Sequence, residues 1–422
     1  MVAYAGPFAT NTGTETTDNT AGQRPENYRE LFLRLYPTTE MNAPLAALTA
    51  KMKSKELSDD PVFHWFEKEI PVFYLYINNA AGYAAGITSL LVDDSAGGAV
   101  SAFRLRAGHQ IRVERTGEVM WVVSDPTVGN TIVVSRGRGS TAAAPLLDND
   151  VLTVLGTVHG ENSDVPTSIN HTGLPFSNVT QIFREPFQLS GTAQNTNLRT
   201  GDAYKEKRQD ALEQYNMQLE MAFWFSQMQQ QSGIIVGGTG LPERSTGGLF
   251  EYMVTNAVNA TTNVGSGNGL PGDAVASQVT IDEFENAMEQ YFRFGSKEKI
   301  AFCGSGALLV LQKLQRLNAS IQIIPGNDKF GLGMTKWLTP FGTLNLINHP
   351  MFSDHPVHRY TMAIVDVNKL RYRFMKGRDT GLLKNRQGNG QDGVIDEFLG
   401  EVGLEVQHEK CHGYILNMIT AA

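Results

Sequence analysis

The stretch best suited to chemistry is KIAFCGSGALL at residues 299–309. There a strand runs into a glycine turn and then a helix, an arrangement that can cradle an anion or lift a nucleophile. A nucleophile elbow needs glycine where Cys303 stands, and a phosphate loop needs a Gly-Lys-Ser/Thr that is missing. Ordinary strand–turn–helix packing is therefore expected, with Cys303 a small core residue. Gly265, Gly267, Gly269 and Gly272 have phosphate-loop spacing, but Pro271 interrupts them and no strand leads in, so they read as a surface loop. His349, Asp354, His355 and His358 supply metal-ligand types in NHPMFSDHPVH, yet Pro350 and Pro356 break any helix that would align the imidazoles. On a strand, His408 and His412 would share a face while Cys411 points away, which defeats ligation by all three. Asp392-Gly393 lacks the spaced acids of a calcium loop. No catalytic residue, metal or cofactor is expected.

The elements around these residues follow from periodicity. A polar tail to Gly22 and a short amphipathic piece at 27–36, stopped by Pro37, read as an extended arm that either is disordered or docks on a neighbouring subunit. Alternating runs at 70–77, 110–114, 118–123, 131–135 and 151–155 are strands, and turns punctuate them so that residues 89–158 form a small antiparallel barrel or sandwich. Their extended flanks, 70–86 and 173–189, make this module an insertion in a long two-stranded loop. Asp202 opens the longest helical signal, expected over 202–232, roughly 45 Å of rod at about 1.5 Å per residue. Its start is charged at Lys205 and Arg208, and its end, LEMAFWF, is apolar nearly all round, so Leu219, Phe223, Trp224 and Phe225 should be buried.

Downstream, Thr280 and Glu283 form a capping box with Val279 and Phe284 at staple positions. A strand at 299–302, a Leu-rich helix from Ser305 to about residue 318, and strands at 344–347 and 360–365 make an α/β layer. Residues 369–374 and the run 400–419 are expected to form a closing β-hairpin.

With 422 residues, 41% apolar and 18% charged, the chain is globular and long enough for several domains. No run reaches the ~20 apolar residues of a membrane span, and the first residues lack a secretory signal, so a soluble protein made without export is expected. Two cysteines exclude a disulfide framework and suit a reducing cytoplasm. A net charge of −8 argues against a protein built to hold nucleic-acid phosphates. Three classes remain: an assembly protein, which predicts large homo-oligomers; an α/β enzyme using 299–309, which predicts turnover; and a binding protein carried by the β module, adhesin-like, which predicts affinity in residues 89–158 alone.

The order of elements resembles the major capsid proteins of tailed bacteriophages, of the HK97-like (Johnson) fold. NVTQIFREPFQLSGTAQ at 178–194, TPFGTLNLINHPMF at 339–352, YTMAIVDVNKLRYRF at 360–374 and EVGLEVQHEKCHGYILNM at 401–418 carry the likeness. The resemblance implies an α+β chain with an N-terminal arm (1–60) and an extended loop (61–190) containing the β insertion. It further implies a peripheral domain (191–233 and 351–422) with the spine helix and C-terminal hairpin, and an axial domain (234–350). It implies self-association into hexamers and pentamers of an icosahedral or prolate shell, in a virion assembled in the host cytoplasm. That shell would enclose double-stranded DNA without sequence-specific binding and without contact to a membrane. Portal, decoration and scaffolding proteins are further partners it leaves open; the first sixty residues are too short and polar for a scaffold carried in cis. Lys205, Arg208, Arg184 and Glu185 are the expected contacts between subunits.

Overall fold

The computed structural model describes residues 43–51, 55–69, 73–94, 101–196, 201–232, 240–260, 279–317, 323–325 and 335–418. The expectations for residues 1–42 and 265–272 lie outside them. The chain divides into two compact units, Trp65–Phe176 and the segments on either side of it.

In the larger unit, helix Ala203–Phe225 begins where the Asp202 carboxylate accepts the Tyr204 N–H at 2.9 Å. Ala211, Tyr215, Leu219 and Phe223, with Glu220 and Trp224, form its buried stripe. The stripe lies on a sheet ordered Lys55–Ser58, Leu370–Met375, Val394–Val406, Gln181–Leu189, with Gly381–Leu383 also on the long strand. Only Lys55–Ser58 is added in parallel. Strand alternation sends Phe398, Val402 and Leu404 into one core with Tyr215, Phe223 and Trp224, and turns Glu397, Glu401 and Glu405 to the opposite face. Gly400 must be glycine, because a Cβ there would collide with the Tyr215 hydroxyl.

The second sheet of this unit runs Ala257–Asn259, Gly413–Leu416, Met362–Val365, Glu298–Cys303, Thr343–Asn348, Thr335–Leu338, Ile323–Pro325. Both its faces are covered. Phe302, Ile347, Ala363 and Val365 enter the spine-helix core, while Ala301, Cys303, Leu346 and Ile364 meet helices Ile281–Phe292 and Ser305–Leu317 on the other side. Continuous apolar strands such as MAIV are the sequence trace of that double burial. The capping box forms, with Thr280 N–H donating to Glu283 at 2.8 Å and Glu283 N–H to the Thr280 hydroxyl at 3.3 Å.

The smaller unit is a closed antiparallel barrel in the order Tyr74–Ile77, Ser89–Asp93, Thr131–Ser135, Val119–Val122, His109–Val113, Val151–Thr157. Alternate residues, among them Leu75, Leu90, Ile111, Met120, Ile132 and Leu152, fill its core. Glu118 is fully buried; it takes two bonds of 2.7 Å from Arg136 and backbone N–H bonds from Gly137 and Ala144. Burial alone would push its carboxyl up, but these donors hold it below the usual carboxylate range. The chain enters and leaves through Val62–Glu67 and Leu174–Val179, which pair with each other.

Four boundaries differ from expectation. The barrel starts at Tyr74 and not at 89, since Tyr74–Ile77 closes it by pairing with both Ser89–Asp93 and Val151–Thr157. The spine helix stops at Phe225: Gln229–Ser232 is polar and exposed, has no apolar face to bury, and pairs with Pro242–Ser245. Residues 401–418 are two strands, because His408 takes the left-handed conformation (φ 53°) and Glu409–Cys411 is a 3₁₀ turn. Val394–Val406 does pair with Leu370–Met375, but Gly413–Leu416 crosses to the other sheet. That sheet thus recruits Met362–Val365 and Gly413–Leu416 from outside 234–350.

Candidate assembly surfaces

The apolar end of the spine helix joins the two sheets. Trp224 is fully buried and meets Phe352, Phe302 and Phe250 at centroid distances of 5.0, 5.2 and 5.8 Å. Phe223 and Leu219 are buried beside it, and Phe225 is half-buried, stacked on Phe250. Met221 is exposed, so burial is a stripe and does not surround the helix. Within this run sits Glu220, fully buried, its Oε1 2.9 Å from the Trp224 indole nitrogen and 2.7 Å from His349 Nε2. A single acid inside LEMAFWF was the only sequence signal for it.

The charged start behaves differently. Lys205 and Arg208 are exposed, and Lys207 lies 3.9 Å from Asp210. Arg184 and Glu185 meet partners within the subunit: Arg184 reaches Glu397 at 2.5 Å, and Glu185 accepts from Gln218 at 2.6 Å. Glu397 belongs to a row that periodicity did not single out. Glu397, Glu401 and Glu405 are four apart on one face of Val394–Val406 and are covered by Arg184 and Arg386, Arg378, and Arg373 respectively. Burial would raise the Glu397 carboxyl, but its two arginines bring it below the usual range. These guanidinium groups, apart from that of Arg373, remain about half exposed, so most of this sheet face is finished by charge, with the buried Phe63 ring filling the place beside Gly403.

The residues considered for chemistry have packing roles. Cys303 is fully buried, and burial pushes its thiol well up. Gly304 and Gly306 are glycines because the Arg359 carbonyl and the Tyr360 ring press against them. The Ser305 N–H donates to the Ser353 hydroxyl at 3.1 Å. Lys299 is fully buried, its ammonium donating to the carbonyls of Tyr291 (2.5 Å), Phe294 (2.9 Å) and Cys411 (2.6 Å); burial lowers its pKa. His349 is held by Glu220, while the rings of His355 and His358 lie 4.6 Å apart. His412 is buried: its Nδ1 accepts the Asp366 N–H at 3.2 Å, and its Nε2 lies 3.2 Å from the Gln407 carbonyl. The strand geometry expected for His408 and His412 is absent. Among the described residues no three His, Cys, Asp or Glu side chains converge as a metal site.

The family model described as SU10 major capsid protein matches residues 10–418. The chain belongs to this family. It is 26% identical over 415 residues to the major capsid protein of Pseudomonas phage PaMx41, covering 96% of this chain and 91% of that one. Among solved structures, a protein of Mycobacterium phage Bobi is 10% identical with a TM-score of 0.46, covering 95% and 98% of the two chains. The capsid of an empty GTA particle is 10% identical with a TM-score of 0.44, covering 96% and 98%. The SrpI encapsulin of Synechococcus elongatus PCC 7942 is 8% identical with a TM-score of 0.41, covering 60% and 79%. As a member of this family the chain is a major capsid protein, and it forms the shell of a phage virion. The enzyme and the adhesin-like alternatives have no support from the family match.

Proposed function

We propose that this capsid protein assembles through hexamers and pentamers into a closed icosahedral or prolate container for double-stranded DNA, in the host cytoplasm, without catalysis of its own. Residues 1–60 serve as the arm and 61–190 as the extended loop that carries the barrel. The spine helix with strands Leu370–Met375, Gly381–Leu383 and Val394–Val406 is the peripheral domain, to whose sheet the arm adds Lys55–Ser58 and the extended loop adds Gln181–Leu189 at the edges. The seven-stranded sheet with its two helices is the axial domain. The family match over residues 10–418 carries the reading. The charged finish of the peripheral sheet and the exposed Lys205 and Arg208 support it as places where copies meet. Partners beyond self, namely scaffolding, portal and decoration proteins, would engage the assembled shell. Mass photometry and negative-stain microscopy of purified protein should show hexamers, pentamers or shells. A protein that stays monomeric at high concentration and moderate salt would sink this reading.

A further inference from the structure

Among the described residues, helix Pro44–Lys51 has no cap from its own segment. Ala43, which precedes it, has no side-chain acceptor, and its first turn contains no acidic residue. The acceptor comes from the spine helix. The Leu45 N–H donates to Glu220 Oε1 at 3.0 Å, and the Ala46 N–H donates to Oε2 at 2.6 Å. The same carboxylate accepts from the Trp224 indole at 2.9 Å and from His349 Nε2 at 2.7 Å. The His349 tautomer is set from behind, since its Nδ1 accepts the Phe352 N–H at 3.3 Å and the ring proton must sit on Nε2. Four donors thus converge on two fully buried oxygens, a pattern suited to a carboxylate, which only accepts. The negative charge also lies at the positive end of the helix dipole. Apolar packing of Ala43, Leu45 and Ala46 against the Trp224 core adds attraction, but it is the carboxylate that fixes where the helix begins.

We infer that Glu220 is a positioning residue that locks the root of the N-terminal arm to the spine helix. It thereby fixes where helix Pro44–Lys51 begins. This rests on the reading of residues 1–60 as an arm. In Glu220→Gln, an amide N–H₂ must face at least one of the four donors, and with the oxygen kept toward Leu45, Trp224 and His349 it faces the Ala46 N–H, so the polar lock is weakened on the arm side while the apolar seat remains.

The test is hydrogen–deuterium exchange of the full-length protein, followed by mass spectrometry. Expected is exchange in 43–51 faster by roughly tenfold to a hundredfold in the variant, with strands Met362–Val365 and Gly413–Leu416 unchanged. Ala46→Pro, which removes the Ala46 N–H from the first turn and also disfavours the helical conformation of Leu45, should act in the same direction, and it decides the matter if Glu220→Gln is insoluble. Unchanged protection of 43–51, or a loss spread evenly over the chain, overturns the inference. Shell yield is scored separately. Faster exchange with normal shells keeps the lock and removes the arm reading, whereas faster exchange with defective shells supports both.

Discussion

Lowering the pH from about 7.5 to about 5 should destabilise the subunit by about 2 kcal/mol through His412. The imidazole is fully buried, and its Nδ1 is occupied by the Asp366 N–H, so a second ring proton would break that bond inside the core. Burial, ahead of the smaller influence of Lys299, brings its pKa from 6.5 to about 4. The folded value is below the unfolded one, so between these values the unfolded chain binds a proton that the folded chain refuses. Stability is therefore intact above about 6.5 and falls as the pH falls through the window, reaching about 3 kcal/mol of loss near the folded value at about 1.4 kcal/mol per unit. His358, lowered by burial and by His355, adds a background of the same sign. Glu118, Asp150 and Glu397 are held low and contribute only at more acidic pH. Urea unfolding of the full-length chain, followed by tryptophan fluorescence at both pH values, measures the loss. His412→Asn keeps an acceptor for Asp366 and has no charge to gain, so most of the acid loss should vanish in it. An equal loss in the variant and the parent would refute the argument.

Trp224→Ala should cost roughly 3–5 kcal/mol, since it empties the contact between spine helix and both sheets, and should give insoluble or unassembled protein in a solubility assay. Reversing Lys205 and Arg208 should leave circular dichroism and melting almost unchanged, because exposed charges contribute under ~1 kcal/mol each, while lowering shell yield by microscopy. Lys299→Met should destabilise by about 2–4 kcal/mol in urea melts, since it strands three carbonyls that the ammonium satisfied. Residues 73–158 alone should give a β-type circular dichroism spectrum and a cooperative melt; a disordered fragment would contradict the closed barrel.

Element types were legible wherever one local pattern determines them. Thr280 and Glu283 announce a helix start that forms as written, and the alternation of Leu75 and Ile77 announces a strand. What local pattern does not carry is the partner. Tyr74–Ile77 reads equally well as the flank of a loop and as a barrel strand, until Leu152 and Val92 are found beside it. Gly413–Leu416 follows a long strand of one sheet yet pairs with Met362–Val365 in the other, a switch allowed by the left-handed turn at His408. Glu220 was hidden for the same reason, because its donors come from residues 45, 46, 224 and 349. Arg184 stands out as a charge at an exposed position of a half-buried strand, but only the fold brings Glu397 under it.

The paired strands Val62–Glu67 and Leu174–Val179 bear on how this subunit can be altered. A module that departs and returns along two neighbouring strands can be exchanged without rethreading the chain, since cutting it out leaves a hairpin stem that a short turn can close. The barrel brings its own core, and among the described residues no side chain of its interior cluster comes from outside Trp65–Phe176. The same stem can therefore accept a foreign domain whose termini lie close together, and each shell would then carry that passenger once per subunit.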